Sequence, residues 1–341
     1  AKGRSIVGIG LLAVLALVAV APVAAQTPAE IQAALDAAYT KYKDTQEGAN
    51  ADYIPALAKV DPKIYGIALV TTDGKVYTAG DVKSEVSIQS ISKVFTMAKV
   101  MEESGPDAIA NTIGVDATGM RFNSIVSIEL SQKALGGPEM NALVNPGAIA
   151  ATSMVKGATR DEVWKSILGY YSDFAGRPLS VNQEVFKSEA DTSQRNQAIG
   201  YLMYAYGYIK AEPLRATDIY TEQCSVSVSA KDLAMMAGTL ANAGKNPVTG
   251  KQVMKSEYVP KVLAVMATAG LYDDSGKWFF RTGLPGKSGV GGGLIAVSPG
   301  RFGIAVVSPP LDEAGNSVRA QKAIAHVSSA LGGNPLAAKA R

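Results

Sequence analysis

Two side chains that could catalyse acyl transfer lie three residues apart in the run SIQSISKVFTMAK, which begins at position 87. Ser90 and Lys93 would share one face of a helix, because residues three apart are neighbours on a helical surface. A lysine that is removed from water loses part of its preference for the charged form and can then accept a proton. The spacing therefore predicts a serine nucleophile with a lysine base, although an N-capping serine beside a surface lysine has the same pattern.

A second short motif, Lys287-Ser288-Gly289, lies far along the chain from the first. Serine acyl-transferases of the penicillin-recognising class place a K-[ST]-G triplet on the strand beside an S-x-x-K helix. A phosphate-binding loop is the alternative for the Gly-Lys-Ser run, but that motif needs a glycine where this chain has Arg281. We therefore expect the triplet on a strand next to Ser90.

The chain has one histidine and one cysteine, which limits other chemistries. Cys224 alone cannot form an internal disulfide or a cysteine-rich zinc site. A Ser-His-Asp triad would require His326, which lies among alanines and valines in a segment with a helical pattern and is interpreted as a packing or surface residue. We expect neither a metal site nor a cofactor.

Composition indicates a folded chain. With 341 residues, 47% of them hydrophobic and 18% charged, it can bury a sizeable core as one large domain or two smaller ones. A formal net charge of +3 is too small to hold a polyphosphate backbone, so we do not expect a nucleic-acid partner.

Residues 1–25 have the order of a secretory signal peptide. Lys2 and Arg4 precede an apolar run at 6–20, and a small-residue pattern at 23–25 precedes Gln26. We expect cleavage after Ala25, a periplasmic or secreted location, and no membrane attachment afterwards. An uncleaved anchor is the alternative, because about 20 apolar residues could span a bilayer.

Strand patterns occur at both ends of the remaining chain. Asp73-Gly74 joins predicted strands at 65–71 and 75–79, and Ser298-Pro299-Gly300 joins strands at 293–297 and 302–308. We expect one sheet built from both ends of the chain.

Helical patterns dominate between those strands and flank them. Helices are predicted at 28–38, at 229–244 with Ser229 and Asp232 as capping residues, and at 316–331 with Asn316 as the N-cap. The resulting division is a single domain at 26–341, with a sheet part at about 26–89 and 246–341 and a helical subdomain at about 90–245.

Longer blocks of the sequence resemble the serine-dependent glutaminases, a family shared by bacterial enzymes and the catalytic domain of the mammalian kidney-type and liver-type enzymes. The resemblance extends from about Gly48 to Leu331. The blocks that carry it are ADYIPALAKVDPKIYGIALVTTDGKVYTAGD, SIQSISKVF, TGMRFNS, SEADTSQRNQAIGYLM, YTEQCSVSVSAKDLAMMAGTLANAGKNPVTGKQV, GLYDDSGKW, GLPGKSGVGGGLIAVSPG and SPPLDEAGNSVRA.

The resemblance implies an α/β (α+β) fold like that of β-lactamases and DD-peptidases, with a mixed, mostly antiparallel sheet flanked by helices and an all-helical subdomain. The implied activity is hydrolysis of L-glutamine to L-glutamate and ammonia. The implied assembly is a homodimer or homotetramer.

The resemblance also implies catalytic roles. Ser90 would attack the side-chain amide carbonyl of L-glutamine, and Lys93 would be its base. Tyr220 would relay a proton to the leaving nitrogen, and Tyr272 would complete the pocket. The backbone N–H groups of Ser90 and Val290 would form the oxyanion hole.

The implied substrate-binding positions must hold an α-ammonium and an α-carboxylate group. A buried carboxylate at Glu189 would hold the ammonium by a charge-assisted hydrogen bond. The full set implied for substrate binding is Tyr53, Ser90, Asn145, Glu189, Asn196, Tyr220, Tyr272 and Val290.

One position departs from the family pattern. The family usually has N-P-x-x-N-A-G where residues 141–147 read NALVNPG. Pro146 lacks a backbone N–H and disfavours helical angles at Asn145. We therefore expect the Asn145 contact to be displaced and substrate affinity to be weakened.

Two other functions remain open. A β-lactamase or D-alanyl-D-alanine peptidase would share both short motifs, with Ser180-Val181-Asn182 as a loose match to its S-x-N motif. The other alternative is a glutamine-binding or assembly module that has the fold but no turnover.

Overall fold

The computed structural model describes residues 26–131 and 140–337, so the signal-peptide prediction for residues 1–25 lies outside the described residues. A five-stranded antiparallel sheet has the strand order β2-β1-β7-β6-β5, and β3 pairs with β4 separately. The strands are β1 (Gly66–Thr71), β2 (Val76–Gly80), β3 (Val86–Ser87), β4 (Ser227–Val228), β5 (Gly286–Ser288), β6 (Gly293–Ser298) and β7 (Phe302–Val307).

Helices occupy most of the remaining described chain. Short 3-10 turns lie at Gln89–Ile91, Ser256–Tyr258 and Tyr272–Asp274. The helices are α1 (Pro28–Tyr42), α2 (Pro55–Ala58), α3 (Ser92–Ser104), α4 (Pro106–Thr112), α5 (Val126–Leu130), α6 (Asn145–Met154), α7 (Arg160–Ala175), α8 (Gln183–Asp191), α9 (Gln194–Ala205), α10 (Pro213–Cys224), α11 (Ala230–Ala241), α12 (Val259–Ala269), α13 (Ser275–Thr282) and α14 (Val318–Leu331).

The sheet joins the two ends of the chain, as the strand patterns predicted. β1 pairs along its whole length with β7, from Gly66 opposite Val307 to Thr71 opposite Phe302. Both predicted hairpins are present, because β2 pairs with β1 and β6 pairs with β7.

Side-chain alternation in the central strands divides the core into two layers. Ile67 and Leu69 pack with α1 and α14 on one face of the sheet. Ala68 and Val70 pack on the other face with α11 and the helices between the strands. Because successive side chains in a strand point to opposite faces, these apolar strands are covered by helices on both sides.

Helix caps confirm one sequence prediction and correct another. Ser229 caps α11 and forms a reciprocal capping box with Asp232, as predicted. The N-cap of α14 is Ser317, whose hydroxyl accepts from the N–H of Ala320, so the assignment of Asn316 was wrong. The side chain of Asn316 instead donates to the carbonyl of Leu271, because a turn closed by Asp312 holds it there.

Within the described ranges, no helix is both long and apolar enough to cross a membrane.

A very close approach between α11 and β7 provides a test of this packing. A Cβ added at Gly303 would lie 2.1 Å from the backbone nitrogen of Gly238, where no flexible side chain can move aside. We expect Gly303→Ala to lower the free energy of unfolding by about 1–3 kcal/mol, because it overpacks a rigid contact. The measurement is the midpoint of chemical denaturation.

Gly276→Ala is the matched control for that substitution. Gly276 lies in α13 and its added Cβ would meet no atom within 4 Å, so alanine should leave stability unchanged or raise it slightly. An unchanged midpoint in Gly303→Ala would contradict the close packing of α11 on β7.

Candidate active site

Ser90 and Lys93 meet at the junction between a 3-10 turn and α3. The amine of Lys93 lies 2.9 Å from the hydroxyl oxygen of Ser90. Gln89, immediately before Ser90, has a φ of +49°, a left-handed conformation that residues with side chains rarely adopt. Such backbone strain concentrates at functional sites, where the surrounding structure enforces it.

Burial changes the proton affinity of Lys93. The side chain is only 1% exposed. Desolvation lowers its pKa to about 8, and the acidic groups of Cys224 and Glu189 oppose that shift. About a tenth of the amine is therefore neutral at pH 7, and this neutral form can act as a general base.

Asn145 connects the base to two other predicted site residues. Its side-chain oxygen accepts from the Lys93 amine at 2.7 Å and from the Tyr220 hydroxyl at 3.1 Å. Its side-chain nitrogen donates to the side-chain oxygen of Asn196 at 3.0 Å. The structure thus places these four side chains in one hydrogen-bonded group.

The expected displacement of Asn145 by Pro146 was wrong. Asn145 is the first residue of α6 and Pro146 is the second, a position where a helix does not need the missing N–H. The N–H of Asn145 donates to the carbonyl of Phe122 at 2.7 Å, which fixes the start of the helix. The structural reason for expecting weaker substrate affinity therefore disappears.

A small cavity of about 110 Å³ opens onto Ser90. The predicted positions that line it are Tyr53, Ser90, Asn145, Glu189, Asn196 and Tyr220. A larger cavity of about 680 Å³ lies at the edge of the sheet near Gln26 and Arg301, away from Ser90 and Lys93. Because Ser90 lines the smaller cavity, we take that cavity as the candidate active site.

Glu189 places an acidic group in this cavity. The side chain is 7% exposed, and burial raises its pKa to about 7, while a hydrogen bond from Gln89 and the charge of Lys93 oppose the increase. The Gln89 amide nitrogen lies 3.2 Å from a carboxylate oxygen of Glu189. Gln89 was not among the predicted site residues, although its position next to the proposed nucleophile was a usable signal.

Strand β5 brings a second backbone segment against Ser90, and the Lys287-Ser288-Gly289 motif lies on this strand and its end, as predicted. A Cβ added at Gly289 would lie 3.3 Å from the backbone nitrogen of Ser90 and 2.8 Å from the carbonyl oxygen of Ile88. Only glycine permits so close an approach. Val290 follows directly and is buried.

Tyr272 lies beside the same strand. Its hydroxyl is 3.4 Å from the carbonyl oxygen of Ser288, and its ring centroid is 5.0 Å from that of Phe122. Burial raises the pKa of Tyr272 to about 12, and hydrogen bonds with Ser90 and Ser288 partly oppose this shift. Tyr272 therefore remains a neutral hydrogen-bonding group at physiological pH.

Lys287 is a second buried amine at this site and was not among the predicted site residues. It is 0% exposed, donates to the carbonyl of Ser288 at 2.7 Å and lies 4.2 Å from the centre of the Tyr272 ring. Burial and the nearby charge of Lys93 lower the pKa of Lys287. The signal was available, because the motif containing Lys287 had been recognised.

The remaining candidates for other chemistry lie elsewhere. The ring of His326 in α14 packs edge-on at 6.0 Å from that of Tyr42. In the part of the chain that the structure describes, no group of three or more histidine, cysteine, aspartate or glutamate side chains could hold a metal ion.

Comparison with known proteins identifies the family. Residues 48–334 match the Glutaminase family profile. The chain belongs to the glutaminase family. A glutaminase from Colwellia psychrerythraea is 52% identical over 89% of this chain and 96% of its own length, and Glutaminase 1 of Escherichia coli O157:H7 is 46% identical over 89% and 97%.

Solved glutaminase structures agree. The probable glutaminase ybaS is 46% identical, with a TM-score of 0.87 over 90% of this chain and 98% of that one. A probable glutaminase from Bacillus subtilis complexed with 6-diazo-5-oxo-L-norleucine is 27% identical, with a TM-score of 0.76 over 88% and 94%. The chain is an amidohydrolase with the β-lactamase-like fold of this glutaminase family.

The reactivity of Cys224 tests whether the interior around Lys93 is closed to solvent. The thiol is 2% exposed, its sulfur lies 4.0 Å from the hydroxyl oxygen of Ser92, and burial raises its pKa. We expect no reaction with a disulfide reagent in the native protein and one equivalent after denaturation, because only an accessible thiolate reacts. Fast labelling of the native protein would contradict the burial that lowers the pKa of Lys93.

Proposed function

We propose that this glutaminase hydrolyses L-glutamine to L-glutamate and ammonia through a covalent glutamyl-enzyme formed on Ser90. The observation that carries the proposal is the 2.9 Å contact between the Ser90 hydroxyl and a buried amine whose pKa is lowered to about 8. A weakly acidic hydroxyl needs such a base to act as a nucleophile.

In the first step, neutral Lys93 accepts the hydroxyl proton of Ser90, and the oxygen attacks the side-chain carbonyl carbon of L-glutamine. The negative charge that develops on the carbonyl oxygen is held by the backbone N–H groups of Ser90 and Val290. The close approach of Gly289 to the Ser90 nitrogen supports this pairing of amides.

Collapse of the tetrahedral intermediate breaks the carbon–nitrogen bond. The leaving nitrogen would take a proton from Tyr220 and depart as ammonia, and Lys93 would return the Ser90 proton to Tyr220, so that the amine is neutral again. The Tyr220 hydroxyl and the Lys93 amine both donate to the Asn145 side-chain oxygen, which holds the base and the relay beside each other. Water then attacks the ester and gives a proton to Lys93. Lys93 passes this proton to the Ser90 oxygen as glutamate leaves.

Substrate recognition is assigned to the opposite end of the cavity. Glu189 would hold the α-ammonium group, with Gln89 orienting the carboxylate from 3.2 Å. Asn196 and the half-exposed Tyr53 lie along the same cavity and would contact the rest of the amino-acid head group. Tyr272 would close the side near β5.

The β-lactamase or peptidase alternative has weaker support. Asn182, in the loose match to the third motif of those enzymes, caps α8 by accepting from the N–H of Val185. The binding-module alternative would leave the contact between Ser90 and Lys93 without a purpose.

Residues 1–25 and the family resemblance support two further proposals. The apolar run and small-residue pattern support a cleaved signal peptide and a periplasmic or secreted protein. The resemblance supports a homodimer or homotetramer built from a single domain at 26–341.

Removal of either group should abolish turnover. We expect Ser90→Ala and Lys93→Met each to lower the rate of ammonia release from L-glutamine by about three orders of magnitude or more, because the nucleophile and its base act as a unit. Methionine keeps most of the volume of Lys93 without its amine. Ser104→Ala, an exposed serine on the same helix, is the control and should retain full activity.

The same assay discriminates between the alternatives. L-Asparagine and a chromogenic cephalosporin are tested in parallel with L-glutamine. Near-normal activity in Lys93→Met would show that the base is assigned wrongly, and cephalosporin turnover would favour the penicillin-recognising enzymes.

The pH dependence should follow the two shifted groups. Lys93 must be neutral and Glu189 must be charged, so kcat/KM should rise from pH 6 to pH 9, with coupled steps near 7 and 8. Glu189→Gln should lower kcat/KM by about 10- to 100-fold and remove the lower step, because a charge-assisted hydrogen bond to the substrate is lost. A profile that falls between pH 6 and pH 8 would contradict both assignments.

A further inference from the structure

The residues assigned to the α-carboxylate of the substrate provide no positive charge. Tyr53, Asn145 and Asn196 are neutral, and Glu189 is acidic. A carboxylate that leaves water is stabilised most strongly by a charged donor, and a planar guanidinium matches its geometry. The assigned set therefore lacks the group that most favours one end of a zwitterionic amino acid.

Arg195 is an exposed residue that brings a positive charge to this cavity. It lines the same cavity as Glu189 and precedes Asn196 in the chain. Glu189 lies near the end of α8, and Arg195 lies at the start of α9, so one short turn separates the two elements. Among the described residues that line the cavity, Glu189 and Arg195 are the two with charged side chains.

The guanidinium group is anchored but has donors left over. Its Nε and Nη2 atoms donate to the carbonyl oxygen of Asn123 at 3.1 and 2.9 Å. Of the five N–H donors of an arginine, those two contacts leave three. No carboxylate of residues 26–131 and 140–337 lies within 4.0 Å of Arg195 as an ion-pair partner, so within this part of the chain its charge has no salt bridge.

We propose that Arg195 binds the α-carboxylate of the substrate while Glu189 binds its α-ammonium group, so that the cavity recognises the charge pair of a free L-amino acid. The inference rests on the proposed glutaminase function and deepens it, because it names the residue by which the site selects a free amino acid over a neutral or peptide-linked amide. The bond to Asn123 holds the guanidinium in place before substrate arrives, which reduces the ordering cost of binding.

A purely structural role for Arg195 makes a different prediction. The carbonyl of Phe122, next to Asn123, accepts from the N–H of Asn145, and the Phe122 ring contacts Tyr272. If Arg195 only secured this segment, its loss would impair every amide substrate alike. Charge recognition instead affects only a substrate that has the α-carboxylate.

The experiment compares L-glutamine with 4-aminobutanamide, which retains the amide and the amine but lacks the α-carboxylate. In Arg195→Ala, we expect kcat/KM for L-glutamine to fall about 10- to 100-fold, mostly through KM, and kcat/KM for 4-aminobutanamide to change less than about threefold. Arg195→Lys should recover part of the loss, because it keeps the charge without the planar fork. Arg281→Ala, which removes an exposed arginine from α13 outside the cavity, is the control.

Equal losses on the two substrates, or no loss on either, would overturn the proposal. A binding measurement separates it from the proposed function. L-Glutamine binding is measured by calorimetry on Ser90→Ala with and without Arg195→Ala. Weaker binding in the double variant supports the Arg195 assignment even if the wild-type protein releases no ammonia, whereas unchanged binding contradicts it even if the enzyme is active.

Discussion

The burial of Lys93 is the constraint on which the rest of the site depends. An amine in water would stay protonated and could not take the proton of Ser90, whereas an amine in an apolar core without partners would destabilise the fold. The protein satisfies both demands by burying α3 from Ser92 to Met101 and giving the amine two oxygen partners, the Ser90 hydroxyl and the Asn145 amide. The carboxylate of Glu189 is close enough to act on Lys93 electrostatically but has its own hydrogen bond from Gln89.

Local backbone features produce that arrangement. The left-handed conformation of Gln89 turns the chain sharply before α3. Ser90 then lies about one helical turn before Lys93. Gly289 then allows the end of β5 to run directly against the Ser90 amide. Helix α6 begins at Asn145 itself, so its side chain projects from a rigid helix start. Both chain ends contribute to the sheet that fixes β5, which is why residues so far apart in sequence meet at one cavity.

Sequence patterns predicted the parts of this design that depend on short-range spacing. The Ser90 and Lys93 pair follows from helical periodicity, and both hairpins follow from turn chemistry and alternation. The two errors have a common cause. At Asn316 and Pro146 the propensity of one residue was interpreted without its structural context. That context is the Asp312 turn for Asn316 and the first turn of α6 for Pro146. Arg195 was missed because its significance depends on what lies across the cavity. No periodicity reports that.

The central claim is a covalent glutamyl group on Ser90, and partitioning with hydroxylamine tests it most directly. L-Glutamine is hydrolysed in increasing concentrations of hydroxylamine, and ammonia, glutamate and γ-glutamyl hydroxamate are measured together. A glutamyl-enzyme predicts that hydroxamate forms at the expense of glutamate, in a ratio that rises linearly with hydroxylamine, and that both products vanish in Ser90→Ala. Ammonia release in which glutamate remains the sole product, or hydroxamate formation that survives Ser90→Ala, would contradict the account.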